Sequence, residues 1–215
     1  MDLLIFDLDG TLVDSRQDLA NAVNAMLTDL GRKSLANERV YSYVGNGAPV
    51  LVRRALGDQA TDDVFRKGLA FFMEYYAAHD LDFTVLYPGV QISLDRFRDA
   101  GKHMAVLTNK PIGMTRHILD GLGVAGHFFR VIGGDSLERK KPDPIGVEAL
   151  MREAGVDRAH AVMVGDSSVD VATARNAGIA CCGVTYGFQP ESLHDPAPEL
   201  LVDRMEQFAD WVLGR

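Results

Sequence analysis

The run Leu3-Leu4-Ile5-Phe6-Asp7-Leu8-Asp9-Gly10-Thr11 carries apolar residues into two carboxylates, a glycine and a hydroxyl. A short apolar run closed by turn residues reads as a buried strand of a parallel sheet, so Asp7 and Asp9 stand where that strand leaves the core. Carboxylates at i and i+2 of an extended segment point to the same side. Held together they repel unless a cation or a proton sits between them. Such oxygen donors suit a magnesium-type ion, and a carboxylate beside one can attack an electrophile. Three further groups could join them: Thr108-Asn109, Lys140-Lys141-Pro142-Asp143-Pro144, and the stretch from Gly165 through Asp166 and Ser167 to Asp170.

The combination suits phosphoryl transfer. Asp7 can attack phosphorus and form an aspartyl phosphate, which splits one hard step into two. Asp9 can protonate the leaving alkoxide and later deprotonate the attacking water. Asp7 and Asp166 are hard oxygen ligands for Mg²⁺, which would shield a phosphate anion from the nucleophile's own charge. Thr108 offers a hydroxyl, and backbone amides near Asn109 and at the start of the helix after Pro111 can hold phosphoryl oxygens. A lysine supplies a point charge for the phosphoryl group. Charge alone does not decide whether Lys140 or Lys141 reaches inward. Asp170, four residues after Asp166 in the first turn of the next helix, is better placed to orient a metal-bound water or Lys141 than to bind metal. An acid favoured there by the helix dipole is the plainer reading of the same residue.

These groups need a scaffold that brings them together. Apolar runs at 3–6, 103–107, 129–132, 161–164 and 180–184, with a weaker one at 200–202, alternate with helical patterns. That rhythm implies right-handed βαβ units and a doubly wound, mainly parallel, Rossmann-like α/β sheet. The four chemical groups follow the first four runs, so all are expected at the carboxyl edge, where open α/β sheets bind ligands.

The interval between the first two runs is far longer than one crossover requires. Asp14 reads as a helix start. Ser15 with Asp18 reads as a capping box, followed by Leu19, Ala22, Val23, Met26, Leu27 and Leu30 at helical spacing and a stop at Gly31. Further helices are expected over 37–44, from Pro49, and over 62–78. The expectation is a catalytic core of 1–14 and 84–215 with an all-helical cap of 15–83. The cap leaves and rejoins beside Asp7 and Asp9 and is expected to close over them. Gly45-Asn46-Gly47 reads either as a helix stop and turn or as a cap loop that contacts substrate. Arg53 and Arg54, a helical turn further on, read as a solvated face rather than a substrate anchor.

In this order the motifs resemble those of the haloacid dehalogenase superfamily of phosphatases: Asp7-Leu8-Asp9-Gly10-Thr11, then Thr108, Lys141, and Asp166 with Asp170. The resemblance implies Asp7 as nucleophile, Asp9 as acid and base, Lys141 and Thr108 as phosphate ligands, and Lys141 rather than Lys140 as the inward lysine. It implies Mg²⁺ held by Asp7, Asp166 and Asp9, the last through its backbone carbonyl. The runs from Phe6 to Ser15, from Tyr43 to Pro49, from Leu107 to Pro111 and from Val184 to Gly187 are similar to bacterial phosphoglycolate phosphatases. They imply 2-phosphoglycolate as substrate, with other small phosphates, pyrophosphate or a β-phosphoglucomutase-like transfer as alternatives. A dehalogenase would have no need of Asp9 or Mg²⁺. A signalling receiver would lack the long helical insertion.

Composition narrows the partners. The 215 residues carry a formal net charge of -8, against the concentrated positive charge that nucleic acid or an anionic membrane surface requires. A small phosphorylated metabolite remains compatible, because local cations and a metal override the global sign. The chain is expected to act as a monomer or homodimer. The two cysteines, Cys181 and Cys182, are adjacent and lie in an apolar run, so they read as small buried residues and fit a reducing cytoplasm. The opening strand has no basic flank, unlike a signal peptide.

Overall fold

The apolar run Leu3–Phe6 is buried at every position, and the reason lies in its neighbours. The computed structural model describes residues 1–195 and 197–214. In chain order its principal elements are β1 (Leu3–Phe6), β2 (Val13–Asp14), α1 (Arg16–Asp29), α2 (Asn37–Tyr41), α3 (Ala48–Leu56), α4 (Asp62–His79), β3 (Val85–Leu86), α5 (Val90–Asp99) and β4 (His103–Leu107). Then follow α6 (Ile112–Gly121), β5 (Arg130–Ile132), α7 (Ile145–Ala154), β6 (Ala161–Gly165), α8 (Ser168–Ala177), β7 (Ala180–Val184), β8 (Leu200–Val202) and α9 (Met205–Leu213). The chain forms two compact units, Met1–Asp14 with Leu86–Arg215, and Ser15–Val85.

The first unit is built on a six-stranded sheet of order β5-β4-β1-β6-β7-β8. β1 pairs in parallel with β4 on one side and β6 on the other, Phe6 lying opposite both Val106 and Val164. The remaining pairings are parallel too. Strand order runs outward in both directions from β1, so the crevice at its carboxyl end is the topological switch point of the sheet. Strand alternation divides the core. Leu3 and Ile5 join Ala105, Leu107, Ala161, Met163 and Cys181 in one apolar layer with Val147 and Leu150 of α7 and Val171 and Ala174 of α8. Phe6 faces the other way, with ring centroids 6.1 Å from Phe97 of α5 and 6.2 Å from Phe208 of α9. A strand buried on both faces has to be apolar throughout, which is why this run shows no polar alternation.

The second unit is helical. α1 packs on α2, α3 and α4, and α3 packs on α4. Leu19, Val23, Met26, Leu51, Val52, Leu56, Phe72 and Tyr76 are among its buried side chains. Gly68 of α4 lets Met26, Leu30 and Leu56 approach closely; a Cβ there would stand 3.2–3.3 Å from their side chains.

Several local expectations change. Ser15 precedes α1 but makes no side-chain capping bond. The Asp18 carboxylate instead accepts the amides of Phe83 and Thr84 and the Thr84 hydroxyl, at 2.7–3.1 Å, tying the two ends of this unit together. Asp14 ends the short strand β2 rather than starting a helix. α2 stops at Tyr41 and the chain continues in turns through Val44. β5 begins at Arg130, not Phe129, and β6 runs on to Gly165. β2 and β3 form a separate two-stranded sheet of two residues each, too short to leave a periodicity. Among the described residues no helix is long and apolar enough to cross a membrane.

Candidate active site

Asp7 and Thr108 sit at the carboxyl ends of their strands because each strand's end is held in the sheet. The Asp7 amide donates to Val164 O at 2.9 Å, and the Thr108 amide to Ile132 O at 3.0 Å. The chain then turns sharply after Asp7, with the amides of Thr11, Leu12 and Val13 all directed at Leu8 O. Gly10 takes φ +83°, a left-handed conformation that a glycine adopts at no steric cost.

One lysine organises the centre. Lys141 Nζ lies 2.8 Å from Asp7 Oδ1 and 2.7 Å from Asp170 Oδ1, with its side chain 2 % exposed. The neighbouring Lys140 is exposed, so the inward lysine is Lys141. Asn109 Nδ2 donates to Lys141 O at 3.1 Å and fixes the backbone from which that side chain reaches in. Asp170 is fully buried, and its Oδ2 accepts the Ser167 amide at 3.2 Å and hydroxyl at 2.7 Å. It therefore does two jobs: it caps α8 and it carries Lys141.

Asp166 is clamped by backbone. Phe188 N donates to its Oδ2 at 2.6 Å. A Cβ at Gly10 or at Gly187 would overlap the Asp166 side chain, so the loops after β1 and β7 can approach it only as glycines. Tyr186 Oη donates to Thr11 O at 2.9 Å and joins the same two loops.

Asp7, Asp166 and Asp170 offer carboxylate oxygens that all lie within 4.8 Å of one another, all buried. Burial, reinforced by the Asp170 charge and opposed by Lys141, pushes Asp7 up to about 6. Burial, then Asp170 and Asp7, raises Asp166 well above the ordinary carboxylate range, against the Phe188 amide and Lys141. Burial opposes the Lys141 charge, but Asp170 and Asp7 more than offset it and its ammonium is held beyond the usual lysine range. Three buried carboxylates with one lysine among them leave excess negative charge. A hard divalent cation such as Mg²⁺ fits that donor set and relieves the repulsion.

The Asp9 carboxylate lies outside this cluster. It pairs with Lys110, whose Nζ donates to Oδ1 at 2.8 Å and Oδ2 at 3.0 Å. Thr108 is buried, and its Oγ1 accepts the Lys110 amide at 3.3 Å. At the start of α6, the Ile112 amide is already donated to Asp135 Oδ1 at 2.8 Å, so it is not a donor for a phosphoryl group. Gly45, Asn46 and Gly47 belong to the helical unit, in the turn between α2 and α3, with φ +107° at Gly45 and +87° at Gly47.

The sequence alone assigns no role to Lys110, Ser167, Gly187 or the Phe188 amide. For Lys110 the available signal was a basic residue between a buried threonine motif and a proline. For the two loop positions no side-chain signal exists, because the contacts come from backbone.

The family model for haloacid dehalogenase-like hydrolases matches residues 4–184. A phosphoglycolate phosphatase of Pseudomonas savastanoi pv. phaseolicola is 44% identical over 212 residues, 95% of this chain and 77% of that protein. One from Pseudomonas putida is 46% identical over 209 residues, 94% and 76% of the two chains. Among solved structures, a protein of Haemophilus somnus 129PT described as a predicted phosphoglycolate phosphatase superposes with a TM-score of 0.92 at 33% identity, covering 99% of this chain and 97% of that one.

Proposed function

Because this chain belongs to the haloacid dehalogenase-like hydrolase family, we propose that it is a Mg²⁺-dependent phosphatase that hydrolyses 2-phosphoglycolate to glycolate and phosphate through an aspartyl phosphate on Asp7. The observation that carries this reading is the buried arrangement in which Lys141 joins Asp7 to Asp170 while Asp166 completes a three-carboxylate cluster. The curated relatives named phosphoglycolate phosphatase support the choice of substrate.

Asp7 Oδ1 already accepts from Leu8 N at 2.8 Å and from Lys141, so Oδ2 is the oxygen that attacks phosphorus. As the Asp7 O–P bond forms, the bond to the glycolate oxygen breaks and that oxygen takes a proton from Asp9. In the second half, water attacks the phosphoaspartate, gives its proton to Asp9, and the Asp7 O–P bond breaks. Asp7 and Asp166 would hold Mg²⁺, which would supply positive charge to the phosphoryl oxygens. Lys141 adds a fixed cation for the charge that develops at phosphorus, and the Thr108 hydroxyl is proposed to bind a phosphoryl oxygen. Asp170 holds Lys141 on station. In the helical unit, the 45–47 turn is proposed to contact substrate, and Asn46→Ala is expected to raise KM more than it lowers kcat.

The deciding experiment compares kcat/KM across 2-phosphoglycolate, pyrophosphate, glucose 1-phosphate and other small phosphate esters, with product analysis and with EDTA. The expected result is highest efficiency on 2-phosphoglycolate, release of inorganic phosphate, and loss of turnover in EDTA. Isomerised sugar phosphate as the main product, or turnover that survives EDTA, would overturn the reading.

A further inference from the structure

Lys110 is a lysine buried at the site with no part in the mechanism so far. Its side chain is 4% exposed and grips both oxygens of Asp9, whose own side chain is 13% exposed. Its backbone is held on both sides: the amide donates to Thr108 Oγ1, and the carbonyl accepts the Gly134 amide at 2.8 Å. Gly134 in turn lies so close to the Asn109 carbonyl that a Cβ there would overlap it. Burying an ammonium on a backbone this constrained is costly unless it meets a partner, and the partner it meets is the acid–base carboxylate.

We propose that Lys110 is a positioning residue for proton transfer, holding the Asp9 carboxyl group at the leaving-group oxygen. The inference rests on the phosphatase reading above. Lys110 spans both oxygens of Asp9 and fixes the orientation of the carboxyl group; when one oxygen carries the proton, the other still accepts from Lys110, so that orientation is kept through the proton transfer. During phosphorylation of Asp7 that proton moves to the departing oxygen as the P–O bond breaks. During hydrolysis the attacking water returns a proton to the same carboxyl group. Lys110 gains and loses no proton and forms no bond to phosphorus. Positioned proton transfer contributes on the order of 10²–10⁴-fold, which sets the size of the effect.

The test uses leaving groups that differ in their need for a proton. kcat/KM, which covers the steps through departure of the alcohol, is measured for Lys110→Met and the unsubstituted protein on 2-phosphoglycolate, ethyl phosphate and p-nitrophenyl phosphate. The first two expel poor alkoxide leaving groups; the third expels a stable phenolate. The expected loss is about 10²-fold on both alkyl esters and at least about tenfold smaller on the aryl ester. On 2-phosphoglycolate, Lys110→Met added to Asp9→Asn is expected to lower the rate by less than about twofold, because both changes remove the same function. An equal loss on all three esters would mean a merely structural role and overturn the inference. A loss confined to 2-phosphoglycolate would make Lys110 a ligand for the substrate carboxylate and overturn it as well. Should Lys110→Met fail to fold, Lys110→Gln carries the same comparison. If the unsubstituted protein hydrolyses none of the three esters, the functional reading fails first; if it hydrolyses them and the losses are uniform, only the role of Lys110 fails.

Discussion

Lys141 Nζ stands 2.7 Å from Asp170 Oδ1 although neither residue is near the other in sequence, and both are almost wholly buried. The pair serves the site and also the fold around it. Lys141→Met would leave Asp170 and Asp7 buried without their cation, and removing one partner of a buried ion pair costs about 3–5 kcal/mol. Urea denaturation of the metal-free protein should show that loss. A decrease below about 1 kcal/mol would mean that water reaches the site and the pair is screened.

Asp7→Asn replaces the carboxylate proposed as nucleophile by an amide of the same shape. Turnover of 2-phosphoglycolate should fall by about 10⁴-fold or more, with an unchanged far-ultraviolet circular dichroism spectrum. Retention of the original rate would exclude Asp7 as nucleophile.

Gly187→Ala places a methyl group where the Asp166 side chain and the Gly10 carbonyl already lie. Asp166 must move, and the Phe188 amide that holds its Oδ2 moves with it. Displaced supports of metal ligands typically weaken metal binding 10–100-fold. Direct titration with Mn²⁺, followed by electron paramagnetic resonance, should report a loss in that range. Equal affinity in the two proteins would show that this loop does not govern Asp166.

Acidity and metal binding are linked at the same carboxylates. Asp7 rises from an ordinary value of 3.8 to about 6, and Asp166 is raised as well, both chiefly by burial. A raised carboxyl stabilises the folded state as the neutral acid. That contribution is complete below about pH 4 and is lost as pH climbs through about 6. Mg²⁺ bound as proposed would have to displace these protons at low pH and would meet ionised ligands at high pH. Mg²⁺ should therefore raise the Tm more at about pH 7.5 than at about pH 5. Scanning fluorimetry showing the larger rise at the acidic pH would contradict the assignment of these ligands.

Asp18→Ala removes the acceptor for two amides and a hydroxyl at the far end of the helical unit. With charge-assisted bonds lost and buried donors unpaired, the cost is about 2–3 kcal/mol. Hydrogen exchange at Phe83 and Thr84 should accelerate; unchanged protection of both amides would remove Asp18 from that role.

The same residue shows where the sequence could mislead. A carboxylate three positions after a serine at a helix start satisfies the local capping pattern, yet its partners lie beyond α4, out of reach of any local rule. β1 was legible for the opposite reason: an all-apolar run stopped by Asp7 has few interpretations other than a central parallel strand. Lys141 and Lys140 are equivalent as charges; the family resemblance points to Lys141, and burial distinguishes the two in the structure. Asp166 was legible as a carboxylate after a strand, whereas the Phe188 amide that holds it was not, since every residue but proline carries that donor. The bond from Lys110 to Asp9 crosses from the end of β4 to the end of β1. It depends on how neighbouring strands are ordered, which periodicity along one strand does not encode.

The place of β1 between β4 and β6 also has a consequence for synthesis. The strand that carries Asp7 is made long before its second neighbour, which is complete only when Gly165 has been added. Until then an entirely apolar segment waits with at least one row of amides and carbonyls unpaired, the kind of segment that other nascent chains can capture. That interval is the cost of placing the strand that carries Asp7 at the middle of a sheet whose strands arrive so far apart in time.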